Sequence, residues 1–403
     1  MRLVNVGRVA LNLAGVRLRR ASRHWRTVVR EWDRLGRKAS RQQEMIARAP
    51  SLVRARVEHQ RAALERSRKR VERFGEHVAA PCYSELSIKR QLARAASSDR
   101  PLIVGPWTSE VGYEALYWLP FLHWAVDRYG VSPDRVIALS RGGTRSWYSG
   151  IANRYVEIFD IIEPREFAAQ AARRREAGDQ KQLAASEFDR SLIAQGSSRL
   201  GISDAVTWHP GLMYQLFRPF WYGDRSLDFL FRHAAFDRVR RSLAGAPRDP
   251  SLPTEYAAVK FYSGPALPDS TRNRDTLYEF VQRLTRRMPV VLLDTAWSVD
   301  EHHDYTVDTM PGVTTLRPSL DPRTNLGVQT AVIAGARLFV GTCGGLAWLA
   351  PLLGVETLAV YEDDRYLTAH LYAARYAYRR TGAAGFSVVN VKGLRRLENL
   401  SEN

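Results

Sequence analysis

The chain has 403 residues, 45% hydrophobic and 10% aromatic, and carries a formal net charge of +18. Its length and apolar content fit a globular protein of two to three domains with real cores. Its two cysteines, Cys82 and Cys343, lie too far apart for a disulfide framework, which points to a reducing cytoplasm, and no apolar run reaches the length of a membrane span.

The charge is uneven. Residues 1–100 hold 25 Lys+Arg against 9 Asp+Glu, and the rest hold 35 against 33. The basic character therefore belongs to an N-terminal appendage, and the remaining body is nearly neutral. Residues 1–20 are amphipathic and free of acids. Arg8 and Asn12 interrupt the apolar region, so it reads as an interfacial helix or transit segment and not as a secretory signal. Residues 21–47 have helical spacing, with Trp25, Val28, Val29, Trp32, Leu35 and Ile46 recurring three to four apart. Pro50-Ser51 breaks that helix and starts another, in which Val57, Leu64, Val71 and Val78 recur seven apart.

The expectation for 1–98 is a basic helical, coiled-coil-like extension. It can pack on the body, pair with a second copy as a homodimer, or dock through residues 1–80 on an anionic membrane surface. Nucleic-acid binding is disfavoured, because the tryptophans lie on the apolar face and do not interleave with the basic residues.

Residues 99–250 read as a first α/β unit. Leu102–Val104 is a buried strand, and Gly105-Pro106 is its turn. Thr108 or Ser109 caps a helix running from about Val111 to Tyr129, kinked at Pro120. Val136–Leu139 is a second strand, and the segment from Tyr155 to Ile162 carries a third. Strands alternating with helices imply a parallel, doubly wound sheet whose ligands sit beyond the carboxyl ends of its strands. That rule selects the loop from Gly105 to Glu114. Glu110 and Glu114, one turn apart on the same face, can each take a proton from an acceptor hydroxyl, or can simply compensate a helix dipole. Trp107 and Tyr113 can stack on a sugar or fill the core. Residues 165–198 are charged and helical in composition. The aromatic run from Trp208 to Asp224, with His209 and Arg218, reads as an acceptor groove or an interdomain contact.

Residues 251–403 read as a second α/β unit, entered through a proline linker at 249–253. Strands are expected over Tyr256–Tyr262, Val290–Leu293 and Val313–Leu316, and helices over about Thr276–Arg287 and Asn325–Ala334. Lys260, Tyr262 and Ser263 end the first strand, and Arg272 and Arg274 follow in a loop. Together they can give charge and hydrogen bonds to a diphosphate. Asp294 ends the next strand, where an acid often meets ribose hydroxyls. The cluster Asp300-Glu-His-His-Asp304 is not read as a metal site, since adjacent ligands seldom converge on one ion. Leu338–Val340 is a strand, Gly341-Thr342-Cys343-Gly344-Gly345 a turn, Leu346–Leu353 a helix stopped by Gly354, and Thr357–Tyr361 the next strand. A glycine turn opening a helix offers free N–H groups and the positive end of a dipole to an anion.

Over about residues 101–380 the chain resembles the GT-B superfamily of nucleotide-sugar-dependent glycosyltransferases. The likeness is tightest over Asn325–Val355, a heptosyltransferase-like pattern of helix, strand, donor-phosphate turn and helix, and Gly-Pro-Trp-Thr-Ser-Glu-Val-Gly-Tyr-Glu is similar to the acceptor-side first loop. The chain departs from it in lacking the Glu-x6-Glu of retaining families and in having Thr342-Cys343-Gly344 where Asp-Ser-Gly is usual.

The resemblance implies two Rossmann-like domains. A nucleotide-sugar donor would lie in 251–403 and a glycan or lipid-linked acceptor in 99–250. It implies inverting transfer without metal or cofactor. Apart from the resemblance, the cysteine usage places the protein in the cytoplasm, and the basic N-terminus, which lies outside the family pattern, can hold it on the membrane's inner face. Glu110 falls near the base position, and Gly341, Thr342, Gly344 and Gly345 fall at the donor phosphates. Two rivals remain: an enzyme like the polysaccharide pyruvyltransferases, and a non-enzymatic scaffold docked on membrane or nucleic acid.

Overall fold

The computed structural model describes residues 30–31, 33–38, 41, 51–74, 80–176, 181–243, 251–295, 302–306, 310–317 and 320–394. The expectations for residues 1–20, most of 21–47, Val78, Asp249-Pro250 and Asp300-Glu301 lie outside the described residues. The chain divides into two compact units, Met1–Leu86 and Ser87–Asn403. In the first, one helix runs over Ser51–Phe74. Its Val57 and Leu64 are half-buried, while Arg56, Arg61 and Arg66 are exposed, as an apolar stripe between basic faces requires. Among the described residues no helix is long and apolar enough to cross a membrane.

The second unit is α/β, built on two Rossmann-like parallel sheets. The first has the order β3-β2-β1-β4, with β1 at Leu102–Val104, β2 at Val136–Ser140, β3 at Arg154–Glu157 and β4 at Val206–Trp208. All its pairs are parallel, in registers such as Leu102↔Val136 and Leu102↔Val206. β1 and β2 are wholly buried, as strands covered by helices on both faces must be.

The second sheet has the order β12-β11-β10-β5-β7-β9. Its strands are β5 (Ala257–Lys260), β7 (Val290–Leu292), β9 (Val313–Thr315), β10 (Leu338–Thr342), β11 (Glu356–Tyr361) and β12 (Phe386–Asn390), again all parallel. A two-stranded antiparallel ladder pairs β6 (Tyr262–Ser263) with β8 (His303–Asp304). In each sheet the chain reverses its direction of winding once. The reversal falls between β1 and β4 in the first and between β5 and β10 in the second. Such switch points open a crevice beyond the strand ends, where doubly wound sheets take ligands.

Three expectations change. The helix after β1 is not a single kinked rod: a turn at Val111–Tyr113 leads into a π-helical stretch at Glu114–Trp118 and then a helix at Leu119–Tyr129. Leu119 N–H reaches back to Glu114 O, and Pro120, which has no N–H to give, follows this widened turn directly. Neither Thr108 nor Ser109 caps it. Glu110 is the N-cap, without a side-chain cap bond, while Thr108 N–H bonds Gln182 Oε1 (3.1 Å) and Ser109 Oγ lies 2.8 Å from Tyr214 Oη. In the second sheet's half, the helix expected from Thr276 starts at Thr271, because Ser270 Oγ accepts from Asn273 N–H at 3.2 Å. Arg272 and Arg274 therefore stand on a helical turn and not in a loop.

One hydrophobic core joins the two halves. It contains Leu102, Trp118 and Phe121 beside the first sheet and Ala258, Phe339 and Trp348 beside the second. Trp147 Nε1–H bonds Thr330 Oγ1 at 2.9 Å, and Gly327 N–H bonds Gly142 O at 2.8 Å. A Cβ on Gly327 would lie 2.6 Å from Gly143 O, so glycine is what lets these backbones meet.

Candidate active site

The carboxyl ends of both sheets open on one cleft of about 1040 Å³. From the first half it receives the loop after β1, and from the second half the loops after β5, β10 and β11. Eight of the expected site residues line it: Glu110, Tyr113 and Arg218 from the first half, and Lys260, Tyr262, Thr342, Gly344 and Gly345 from the second.

The glycine turn is tightly built. Cys343 N–H bonds Val360 O at 2.8 Å, which ends β10 in register with β11. Thr342 Oγ1 accepts from Tyr262 N–H and donates to Tyr262 O, both at 2.9 Å, and so fixes where the chain leaves β5. Gly344 has φ 144° and Gly345 φ 41°, conformations that L side chains rarely adopt. A Cβ on Gly344 would stand 2.6 Å from Tyr262 Oη, and one on Gly112, from the opposite half, 3.0 Å from Gly345 N. The turn that starts the helix Gly345–Leu349 thus faces the turn that starts Val111–Tyr113.

Lys260 is already engaged. Its Nζ donates to Leu293 O at 2.8 Å and to Asp304 Oδ2 at 2.7 Å. The same oxygen of Asp304 accepts from Thr295 N–H (2.6 Å) and Thr295 Oγ1 (2.9 Å). Across the cleft Lys181 Nζ lies 2.5 Å from Glu110 Oε1 and 3.7 Å from the centroid of the Tyr113 ring. The segment carrying Lys181 is bound to the loop after β1, since Gln182 Nε2–H donates to Pro106 O at 3.0 Å and Arg174 donates twice to Thr108 at 2.8 Å.

Glu114 faces the core, not the cleft. It is fully buried, and its Oε1 accepts from Ser140 Oγ (2.7 Å) and Tyr148 Oη (2.6 Å) while Oε2 has no partner. Burial pushes its carboxyl up to about 7, against the opposing pull of Arg141 and the two hydroxyls. A raised carboxyl pKa makes the folded state hold a proton that the unfolded state has lost. The stabilisation is complete below the ordinary carboxylate range and disappears as pH rises through about 7. Glu114→Gln should remove that slope. Relative to wild type, the variant should gain about 2–3 kcal/mol between pH 5 and pH 8 in urea melts.

The structure keeps the other expected residues from the cleft. Trp107 is fully buried, stacked 5.8 Å from Trp118 and 6.0 Å from Tyr214. His209 Nε2 lies 3.4 Å from the buried Asp189, and Ser263 Oγ donates to His303 O at 3.3 Å. Asp294 is buried against Arg317 and Thr315. Gly341 lies within β10, where a Cβ would meet Lys260 O at 2.6 Å. Arg272 is exposed, and Arg274 forms a two-pronged pair with Asp269 on the surface. Among the described residues no three His, Cys, Asp or Glu side chains converge to hold a metal ion, and Asp304 of the acid–histidine cluster serves Lys260 instead.

Sequence reasoning missed Lys181, Arg141 and His370, all of which line the cleft. Arg141 and His370 follow the carboxyl ends of β2 and β11, so the strand-end rule could have found them. Lys181 had no such signal, because it reaches the cleft only by the tie of Gln182 to the β1 loop.

No family model and no curated protein matches the chain. Solved structures similar to it include the ADP-heptose LPS heptosyltransferase II of E. coli, at 14% identity over 65% of this chain and 85% of that one, with TM-score 0.34. A glycosyl transferase family 9 protein from Veillonella parvula gives 11% identity, 76% and 90% coverage, and TM-score 0.38. The UDP-GlcNAc 2-epimerase of Methanocaldococcus jannaschii gives 8%, 75% and 99%, and TM-score 0.30. At TM-scores below 0.5 these likenesses carry no argument.

Proposed function

We propose that the chain is a GT-B-type glycosyltransferase that moves a sugar from a nucleotide-sugar donor to a hydroxyl of a glycan or lipid-linked acceptor. The observation that carries this reading is the meeting, in one cleft, of groups from the switch points of two Rossmann-like sheets: Glu110 after β1, Lys260 and Thr342 at the ends of β5 and β10, and the Gly344–Gly345 turn after β10. Glu110 takes the proton of the acceptor hydroxyl as that oxygen attacks the anomeric carbon. The bond from that carbon to the diphosphate breaks on the opposite face, so the configuration inverts. The leaving diphosphate gathers negative charge, which the N–H groups of the Gly344–Gly345 turn and the Lys260 ammonium offset. The excess of positive charge in the first 100 residues supports an acceptor presented on an anionic membrane surface.

UDP, GDP, ADP and dTDP, each added in turn, test the reading by thermal shift. One of them at about 100 times its Kd should stabilise the fold by about 2.7 kcal/mol. Gly344→Ala should cost about 1–3 kcal/mol of stability, since alanine is strained at φ 144° and its Cβ meets Tyr262 Oη, and should abolish the nucleotide shift. Adding Tyr262→Phe should relieve the contact and leave the backbone strain. If none of the four nucleotides shifts the wild-type melt, the proposed donor class is wrong.

A further inference from the structure

Beside the glycine turn, two phenol rings share one imidazole that comes from another part of the fold. Tyr113 and Tyr117 come from the helical turns after β1, and His370 comes from the helix Thr368–Thr381 after β11. His370 Nδ1 lies 2.7 Å from Tyr117 Oη, and His370 Nε2 lies 3.3 Å from Tyr113 Oη. All three line the cleft, but Tyr117 is buried at 1% exposure, whereas Tyr113 is only half-buried.

The protons in this group can be counted. A buried phenol must place its proton on an acceptor, and the acceptor beside Tyr117 Oη is His370 Nδ1. A neutral imidazole accepts at one nitrogen and donates from the other. Burial, helped by the charge of Lys181, lowers the His370 pKa to about 4, so the ring is neutral near pH 7. Nε2 therefore carries the hydrogen and gives it to Tyr113 Oη. With that oxygen already accepting, the proton of Tyr113 turns to the cleft. Burial and the nearby Glu110 carboxylate push the Tyr113 pKa well above the ordinary phenol value, so the proton remains in place.

We propose that Tyr113 is a fixed hydrogen-bond donor to the diphosphate of the donor substrate, reaching it from the half of the molecule opposite the glycine turn, and that His370 and Tyr117 are the positioning residues that aim it. The inference rests on the nucleotide-sugar reading above and changes the part given to Tyr113, from stacking on the acceptor to contacting the leaving group. Its position supports this: Gly112, the preceding residue, is the one packed on Gly345 N. The Lys181 ammonium over the Tyr113 ring keeps the phenol in place and makes its hydroxyl a better donor. A neutral O–H aimed at the departing oxygens stabilises charge as it develops, without a proton changing hands.

Two measurements on the full chain test the proposal. In the first, ¹⁵N spectra of histidine-labelled protein at pH 7 should give His370 as the Nε2–H tautomer, with Nδ1 unprotonated. The Nδ1–H tautomer overturns the proposal whatever the protein binds. In the second, UDP, GDP, ADP and dTDP are titrated singly into wild type, Tyr113→Phe and His370→Phe, with the matching nucleosides as controls. Tyr113→Phe should weaken binding of the preferred nucleotide about ten- to a hundredfold and leave its nucleoside unaffected. His370→Phe should reproduce that loss, and the double variant should lose no more than either alone. Nucleotide affinity unchanged in Tyr113→Phe overturns the proposal and leaves the nucleotide-sugar reading standing. A wild-type protein that binds none of the four overturns both. Should His370→Phe fail to fold, the tautomer and the Tyr113→Phe titration still decide.

Discussion

Glu110→Gln should lower kcat by two to four orders of magnitude and leave KM for the donor nearly unchanged, the expected loss for a general base whose role is confined to proton transfer. The substitution isolates the chemistry. Gln keeps the side-chain length and an oxygen to accept from Lys181 Nζ, which lies 2.5 Å from Glu110 Oε1. It cannot accept a proton from the acceptor hydroxyl. The fold should hardly register the change, because the pair is 30% and 39% exposed and pairs of that kind contribute about 0–1 kcal/mol. A circular dichroism melt within a few degrees of wild type, beside a hundredfold or greater fall in kcat, is the expected pair of results. Steady-state kinetics with the sugar nucleotide selected by thermal shift supplies the comparison. A kcat within threefold of wild type removes Glu110 from the base role. Glu114 could not replace it, since its carboxyl is fully buried away from the cleft, with Oε1 held by Ser140 and Tyr148.

The parallel sheets were legible in the sequence because their central strands are unbroken apolar runs closed by glycine. Leu102–Val104 and Leu338–Val340 are of this kind, although β10 runs on through Gly341 to Thr342, and the alternation with helices gave the fold class. β4 was not legible. Val206–Trp208 is a three-residue edge strand with two half-buried residues, next to a segment whose aromatic content dominated the reading. β12 and the helix Thr368–Thr381 went unread, although they complete the second sheet and deliver His370.

Which residues line the cleft was legible where this depends on strand ends, as at Glu110, Lys260 and Gly344. It was not legible where it depends on charge pairing across the fold. Arg274 looked available for phosphate, but Asp269, five residues before it, takes both prongs of its guanidinium. Lys260 looked like a free cation, but its partner Asp304 arrives on β8 from 44 residues away. Spacing along a chain reports neighbours on a helix or strand. It does not report which opposite charge a distant loop brings.

That partnership makes Lys260 the position where a structural role and a substrate role must be separated. Its side chain and that of Asp304 are 12% and 9% exposed, so removing one strands the other in a poorly solvated place. Lys260→Met should therefore cost about 3–5 kcal/mol in urea melts, chiefly through the uncompensated carboxylate. Lys260→Met with Asp304→Asn should recover most of that loss, since an amide still accepts from Thr295 and no charge is left unpaired. The two variants then diverge in function. An ammonium has three hydrogens; Leu293 O and Asp304 Oδ2 take two of them, which leaves one for a phosphate in the cleft. If that third hydrogen reaches the leaving diphosphate, the stable double variant should show nucleotide affinity and kcat reduced by at least tenfold. If the double variant regains both stability and nucleotide affinity, Lys260 acts only as the clasp between β5 and β8, and the charge on the diphosphate is met by the glycine turn and the groups facing it.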